Sequence, residues 1–297
     1  MFTGLSAFPL TPLRDGAVDE AAFTNLVARL ATARVDSITA LGSTGSYAYL
    51  TRGERARVAR LAVEHAADVP VIIGVGALRT EHVLELVEDA QEAGASGVLL
   101  APLSYQALTA DDVYGLYEDV TRELAVPLVV YDNPATTHFA FTDDLYQAIA
   151  ALPHVASLKI PGVPADPARA AIRVARLRDL LPAGTALGVS GDAFGATGLN
   201  AGCDSWYSVI GGTLPRLALD ITRAAQAGDH AGATSQSERL APLWDLFARH
   251  GSLRVTAAVA EHLGLAPPHS LPLPIRGLAA ADRADVVEVC TKLRLTV

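Results

Sequence analysis

Positive charge is scarce in this chain, and lysine is scarcer still. Of 23 basic residues only two, Lys159 and Lys292, are lysines, against 32 acidic residues and a formal net charge of −9. That balance argues against nucleic-acid or anionic-membrane partners, which need a basic face. Small anions stay open, because local backbone dipoles can hold them inside an acidic protein. Cysteine is nearly missing: Cys203 and Cys290 form no CxxC pair, so neither a disulfide framework nor a zinc knuckle is encoded, and two reduced thiols suit the cytoplasm. The eight histidines are scattered without HxH or HExxH, and only His138 follows an expected strand end closely, so no metal is expected. No GxSxG elbow is present, nor a GxGxxG after an early strand. No apolar run is long enough for a membrane span. The opening MFTGLSAFPLTPL also lacks the basic segment and long apolar stretch of a signal peptide. The expectation is a cytoplasmic protein.

What the chain does have is apolar residues, 51% of 297, and they come in short runs. Eight of these, at 5–10, 37–43, 70–77, 97–102, 127–134, 155–162, 185–192 and 204–212, each close on small, turn-forming or proline residues. Helical periodicity fills the gaps, as in TEHVLELVEDAQEAG, where Val83, Leu84, Val87 and Ala90 mark an apolar face and Gly94 offers a C-terminal cap. Strand and helix alternating eight times predicts a parallel sheet closed as a (β/α)8 TIM barrel. The seventh unit is the weakest, with room for only a short helix after GVSGD. From residue 214 onward no strand follows. Helical stretches at about 214–227, 229–250, 252–263 and 278–295 predict a barrel over 1–227 and a C-terminal helical extension over 228–297, within which the proline-rich LAPPHSLPLP (265–274) is a rigid connection.

Active sites of such barrels lie at the C-terminal ends of the strands, where the polar clusters GSTGSY, YDNP, LKIPG and SGD stand. Lys159 sits in an apolar strand, flanked by Val155, Leu158 and Ile160. Desolvation there lowers an amine's pKa, and a neutral amine can attack a carbonyl to form a Schiff base, which an arginine cannot do at neutral pH. A snorkelling or ion-paired lysine is the plainer alternative. Tyr131 ends the preceding strand at a matching height, about 4.8 Å away across the sheet, where a phenol can relay protons to an imine. Gly42, Ser43, Thr44 and Gly45 form a candidate anion nest for a small carboxylate. The glycines of GVSGDAFG and VIGGTLP leave a phosphorylated substrate open.

Taken together, GSTG, YDNP, SLKIPG and GVSGD, with the opening GLSAFPLTPL and the segment SYQALTADDVYGLYEDV, resemble the N-acetylneuraminate lyase / dihydrodipicolinate synthase superfamily of class I aldolases over nearly the whole length. The resemblance implies a TIM barrel, a Schiff base to pyruvate or another 2-oxo acid, no organic cofactor, and a homotetramer built as a dimer of dimers. It makes Lys159 the imine-forming lysine and Tyr131 the proton-relaying phenol. Thr44 would link Tyr131 to a further tyrosine, which in the synthases comes from the neighbouring subunit and whose best counterpart here is Tyr105. Two departures bear on the second substrate. Thr136 stands where the synthases carry an arginine that grips aspartate semialdehyde, and a hydroxyl does not replace a bidentate guanidinium. Trp206 and Tyr207 occupy a region of the eighth strand that usually holds smaller residues, so a narrowed pocket is expected, with Tyr207 and Thr136 as substrate contacts. The resulting expectation is a Schiff-base lyase joining or cleaving pyruvate and an aldehyde other than aspartate semialdehyde. A deoxy-sugar-acid dehydratase using the same imine and a non-catalytic 2-oxo acid binding barrel remain alternatives.

Overall fold

The computed structural model describes residues 1–296. Eight parallel strands close into a barrel: β1 (Gly4–Ala7), β2 (Ser37–Ala40), β3 (Val71–Gly74), β4 (Gly97–Leu100), β5 (Leu128–Tyr131), β6 (Val155–Ile160), β7 (Ala186–Ser190) and β8 (Ser205–Ser208). Closure comes from β1, which pairs with β8 through Gly4↔Ser205 to Ala7↔Ser208 and with β2 through Ser6↔Ser37 and Ala7↔Ile38. Each strand coincides with one of the eight apolar runs expected from the sequence, β1 beginning one residue early at Gly4 and the other seven lying wholly inside their runs. A two-stranded hairpin, Leu13–Arg14 with Ala17–Val18, follows β1.

Strand side chains alternate between two environments. Leu128, Val130, Leu158, Ile160, Leu187, Val189 and Trp206 join the large core between strands and helices. Ile72, Leu99, Val129, Tyr131 and Tyr207, with Phe8, form a separate cluster in the barrel interior. Buried on both faces, the strands read as nearly continuous apolar runs, and for that reason they are conspicuous in the sequence.

The barrel helices are α1 (Glu20–Ala33), α2 (Arg52–His65), α3 (Thr80–Glu92), α4 (Ala110–Arg122), α5 (Asp143–Ala150), α6 (Pro167–Leu180), α7 (Gly195–Asn200) and α8 (Pro215–Gln226). On α3 the buried stripe is Val83, Leu86, Val87 and Ala90; Leu86 replaces the expected Leu84, which is half-buried at the stripe's edge. Gly94 follows with φ 83°, the left-handed cap geometry expected of it. As expected, the helix of the seventh unit, α7, is short, with six residues. It lies so close to the sheet that a Cβ on Gly195 would stand 2.5 Å from the Trp206 ring.

Four helices follow: α9 (His230–Arg239), α10 (Ala241–His250), α11 (Ser252–His262) and α12 (Ala280–Lys292). The single stretch expected over 229–250 is two helices. Pro242 has no N–H to continue the ladder, and the Leu243 and Trp244 N–H groups both donate to the Leu240 carbonyl, at 2.8 and 3.1 Å. Ala257, Ala260, Leu265, Ala266 and Leu271 pack against Leu10 and Leu26 of the barrel. The Leu13 N–H also donates to the Ser270 carbonyl at 2.8 Å, tying the proline-rich connection to the hairpin.

Candidate active site

Lys159 and Tyr131 are direct register partners across β5 and β6, and Gly188 of β7 faces Lys159 on the other side. The alternation that sends Leu158 and Ile160 outward turns the Lys159 side chain into the barrel, where it is 5% exposed. Its Nζ lies 3.7 Å from the centre of the Tyr131 ring, 5.2 Å from that of Phe8 and 6.0 Å from that of Tyr207. Burial pulls the amine from its ordinary 10.5 down to about 7, against the opposing pull of the Asp192 and Asp132 carboxylates. An amine in this setting is a nucleophile at neutral pH.

Tyr131 is held at its tip. Its hydroxyl meets Ser43 Oγ at 3.0 Å and accepts from Asn133 Nδ2 at 2.8 Å. Burial raises its pKa, opposed by these two contacts, and keeps it a neutral donor. Asn133 Nδ2 also donates to Thr136 Oγ1 at 2.9 Å, so β5 and the turn after it form one polar chain.

Phe8 and Tyr207 make the remaining aromatic wall, their rings edge to face with centroids 6.0 Å apart. Two glycines allow it. A Cβ on Gly42 would stand 2.7 Å from the Phe8 ring, and one on Gly188 would stand 2.3 Å from the Tyr207 ring. Tyr207 shares a 2.7 Å hydrogen bond with Ser157 Oγ, and burial pushes its phenol up to about 12. Trp206, its neighbour on β8, faces the helices because adjacent strand residues alternate. The narrowing expected of Trp206 and Tyr207 together therefore rests on Tyr207 and Phe8.

Two buried carboxylates flank the lysine. Asp192, just beyond β7, accepts from Ser208 Oγ at 2.9 Å and from the Val209 and Ile210 N–H groups at 3.1 and 2.8 Å. Even so, burial pushes it up to about 6. Asp132 follows Tyr131 and so turns the opposite way. Its Oδ2 accepts from the Tyr146 hydroxyl, while its Oδ1 is buried without a partner among the described residues. Burial pushes Asp132 also up to about 6.

The expected site residues divide into three groups. Lys159, Tyr131, Gly42, Ser43 and Tyr207 come together at the C-terminal end of the barrel interior. Thr44 and Gly45 sit in the same loop but in other roles. Ser43, and not Thr44, carries the contact to Tyr131. The loop closes as a tight turn, with the Ser46 N–H donating to the Ser43 carbonyl, and Thr44 is packed to 2% exposure within it. Thr136 is exposed on the rim, its hydroxyl engaged by Asn133. Tyr105 is 90% exposed on the loop after β4, so within one chain it does not reach Tyr131. Phe8, Asp132 and Asp192 are site residues that sequence reasoning does not single out, although each stands in a motif quoted from the sequence. Phe8 looked like strand core, and nothing in sequence shows that three aromatic rings converge on one amine. Among the described residues no three His, Cys, Asp or Glu side chains gather as a metal-ligand set.

Comparison with known proteins agrees with this geometry. The model of the dihydrodipicolinate synthetase family matches residues 1–293. The 4-hydroxy-tetrahydrodipicolinate synthase of Phenylobacterium zucineum is 32% identical over 289 residues, covering 97% of this chain and 96% of that protein. Its namesake from Halorhodospira halophila is 33% identical over 294 residues, covering 96% and 95%. Among solved structures, a dihydrodipicolinate synthase from Agrobacterium tumefaciens superposes with a TM-score of 0.94 at 44% identity, covering 98% of each chain. With a family match from end to end and a shared barrel, the chain belongs to the dihydrodipicolinate synthetase family, within the N-acetylneuraminate lyase superfamily.

Proposed function

We propose that this protein is a class I lyase that joins pyruvate, or a close 2-oxo acid, to an aldehyde, or cleaves the product of that union, through an imine on Lys159. One observation carries the reading: a buried amine whose pKa has fallen to about 7, with its Nζ 3.7 Å from the ring of a hydrogen-bonded tyrosine. The neutral amine adds to the keto carbon, and the keto oxygen becomes the carbinolamine hydroxyl. Tyr131 delivers a proton to that hydroxyl and water leaves, which gives the protonated imine. The imine nitrogen then accepts the electron pair of a breaking C–C bond, or its enamine attacks an aldehyde carbon. Ser43 and Asn133 hold the Tyr131 hydroxyl in place through these steps. The Gly42–Gly45 turn supplies backbone donors for the substrate carboxylate.

The second substrate is less constrained. Thr136 offers an exposed hydroxyl already engaged by Asn133, which supports an aldehyde that needs no guanidinium clamp there. The relatives' shared name, 4-hydroxy-tetrahydrodipicolinate synthase, lends no support to excluding aspartate semialdehyde, so that aldehyde belongs first in any substrate panel. We also infer a homotetramer, which the exposed Tyr49, Leu78 and Tyr105 support as apolar surface for a second copy to cover; there Tyr105 would meet a neighbouring site. Two free, buried cysteines suit work in the cytoplasm.

Reductive trapping with pyruvate, read by intact and peptide mass spectrometry, tests the imine, and the only other lysine, Lys292, is exposed and serves as internal control. An adduct confined to Lys159 is expected. Failure to trap pyruvate or longer 2-oxo acids, with binding that survives Lys159→Ala, would show a barrel that only binds.

A further inference from the structure

Phe8 belongs to no step derived above, yet its ring centre stands 5.2 Å from Lys159 Nζ. The Tyr131 ring, at 3.7 Å, and the Tyr207 ring, at 6.0 Å, complete three sides around the same nitrogen. All three side chains are buried. These are distances at which the negative face of a π-system attracts a cation.

Phe8 is fixed in this place. Its N–H donates to the Ser208 carbonyl at 3.0 Å, and the chain just after β8 passes so close that a Cβ on Gly212 would stand 1.9 Å from the Phe8 carbonyl oxygen. The ring lies over Gly42, where a Cβ would stand 2.7 Å from two of its carbons, and it meets the Tyr207 ring edge to face. Tyr207 is in turn tethered by Ser157. Both carboxylates that act on the amine are engaged elsewhere: Asp192 accepts from Ser208 Oγ and two backbone N–H groups, and Asp132 from the Tyr146 hydroxyl.

We propose that Phe8, with Tyr207 behind it, holds the positive charge of the protonated imine against its ring face and so keeps that imine an electron sink. This rests on the imine reading above. A carboxylate in contact with Lys159 would pin it as an ammonium ion and take away the nucleophile. A ring face attracts a cation more weakly, so the amine stays partly neutral before reaction, and the charge is supported once the imine has formed. Because the ring is already in place, nothing has to reorganise when that charge appears. A phenyl ring also carries no proton or lone pair that could compete with Tyr131 in the relay.

The test reads the protonated fraction of the imine. At saturating pyruvate, cyanoborohydride reduces the protonated imine and not the neutral one, so labelling of Lys159 slows as pH rises past the imine's own pKa. Wild type is compared with Phe8→Leu and with mono-, di- and trifluorinated phenylalanine at position 8, which keep the ring's shape and weaken its negative face step by step. In Phe8→Leu the midpoint of the fall should move down by about 0.3 to 1.5 pH units, or about 2- to 30-fold in protonated imine, the worth of one buried cation–π contact. The fluorinated series should move it down in graded steps, while the same series at Phe23, in the core between strands and helices, should leave it in place. The other titratable groups around the imine are Asp132 and Tyr131 from β5 and its end, Asp192 from beyond β7 and Tyr207 from β8. They are the same in every variant, so a shift reads position 8 alone. A shift in Phe8→Leu with one common profile across the fluorinated series would assign Phe8 to packing and overturn the proposal, as would one common profile throughout. Absence of labelling in wild type would instead sink the imine reading itself.

Discussion

The pH dependence of imine formation follows from where Lys159 sits. Its pKa of about 7, set first by burial, makes about half the amine neutral at pH 7. At the ordinary value the neutral fraction there would be about 0.03%, so the barrel interior raises the concentration of nucleophile by about three orders of magnitude. The perturbation is pH alone, from 5 to 10, at pyruvate far below saturation. Initial rates of Lys159 labelling with cyanoborohydride are read by intact mass. The rate should climb about tenfold per unit up to pH 7 and then flatten, because further deprotonation adds no more than a factor of about two. A rate still climbing tenfold per unit between pH 8 and 10 would refute the burial argument, since it would place the amine near its ordinary value. Asp192 and Asp132, both pushed up to about 6, add their own limb. As they ionise with rising pH they draw the amine toward its charged form, so the approach to the plateau should be shallower in wild type than in Asp192→Asn.

Three further outcomes are expected. Lys159→Met should stabilise the fold. The amine's pKa is depressed on folding, so the unfolded state binds the extra proton between about pH 7 and 10.5 and wild-type stability rises across that window. The gain from removing the amine is therefore full below about 7, at most about 5 kcal/mol by the shift and trimmed because Asp192 loses its partner. It fades toward pH 10.5, and thermal melts at pH 7 and 10 that show no such narrowing would contradict the linkage. Tyr131→Phe should slow exchange of the pyruvate methyl hydrogens into deuterated water, followed by proton NMR, by about 100-fold or more, while Lys159 still labels at long times; exchange at the wild-type rate would remove Tyr131 from the proton relay. Gly188→Ala should cost about 1–3 kcal/mol and disturb labelling, because its Cβ would stand 2.3 Å from both the Tyr207 ring and Ser205 Oγ. An unchanged melt with wild-type labelling would show that Tyr207 can move aside freely.

How much was legible in the sequence depended on how local the cause is. Eight strands showed as apolar runs because a parallel strand buried on both faces must be apolar throughout. The short α7 was visible in its glycines, and the Gly94 cap in a single residue. The break near Leu240 was missed although Pro242 was in plain view, since Pro can sit in a helix's first turn as readily as end one. Lys159 stood out because lysine is so rare here, and Tyr131 because both residues end a strand. The superfamily motifs then supplied roles for them.

Other features depended on distance in space. Lys159 is a weak base because β5, β6, β7 and β8 close around it and shut out water. Phe8 belongs to the site only because barrel closure brings the end of β1 beside β8. Whether Ser43 or Thr44 meets Tyr131, and whether Trp206 or Tyr207 faces the interior, follows from the turn geometry and the alternation of one register. Tyr47 and Tyr105 look alike in sequence, each a tyrosine a few residues past a strand; packing buries the first beside Tyr131 and leaves the second in solvent. The chain's own residues determined the barrel and the amine that acts in it. Only the closed tertiary structure decided which groups surround that amine, because desolvation and hydrogen bonding depend on neighbours that lie far apart along the chain.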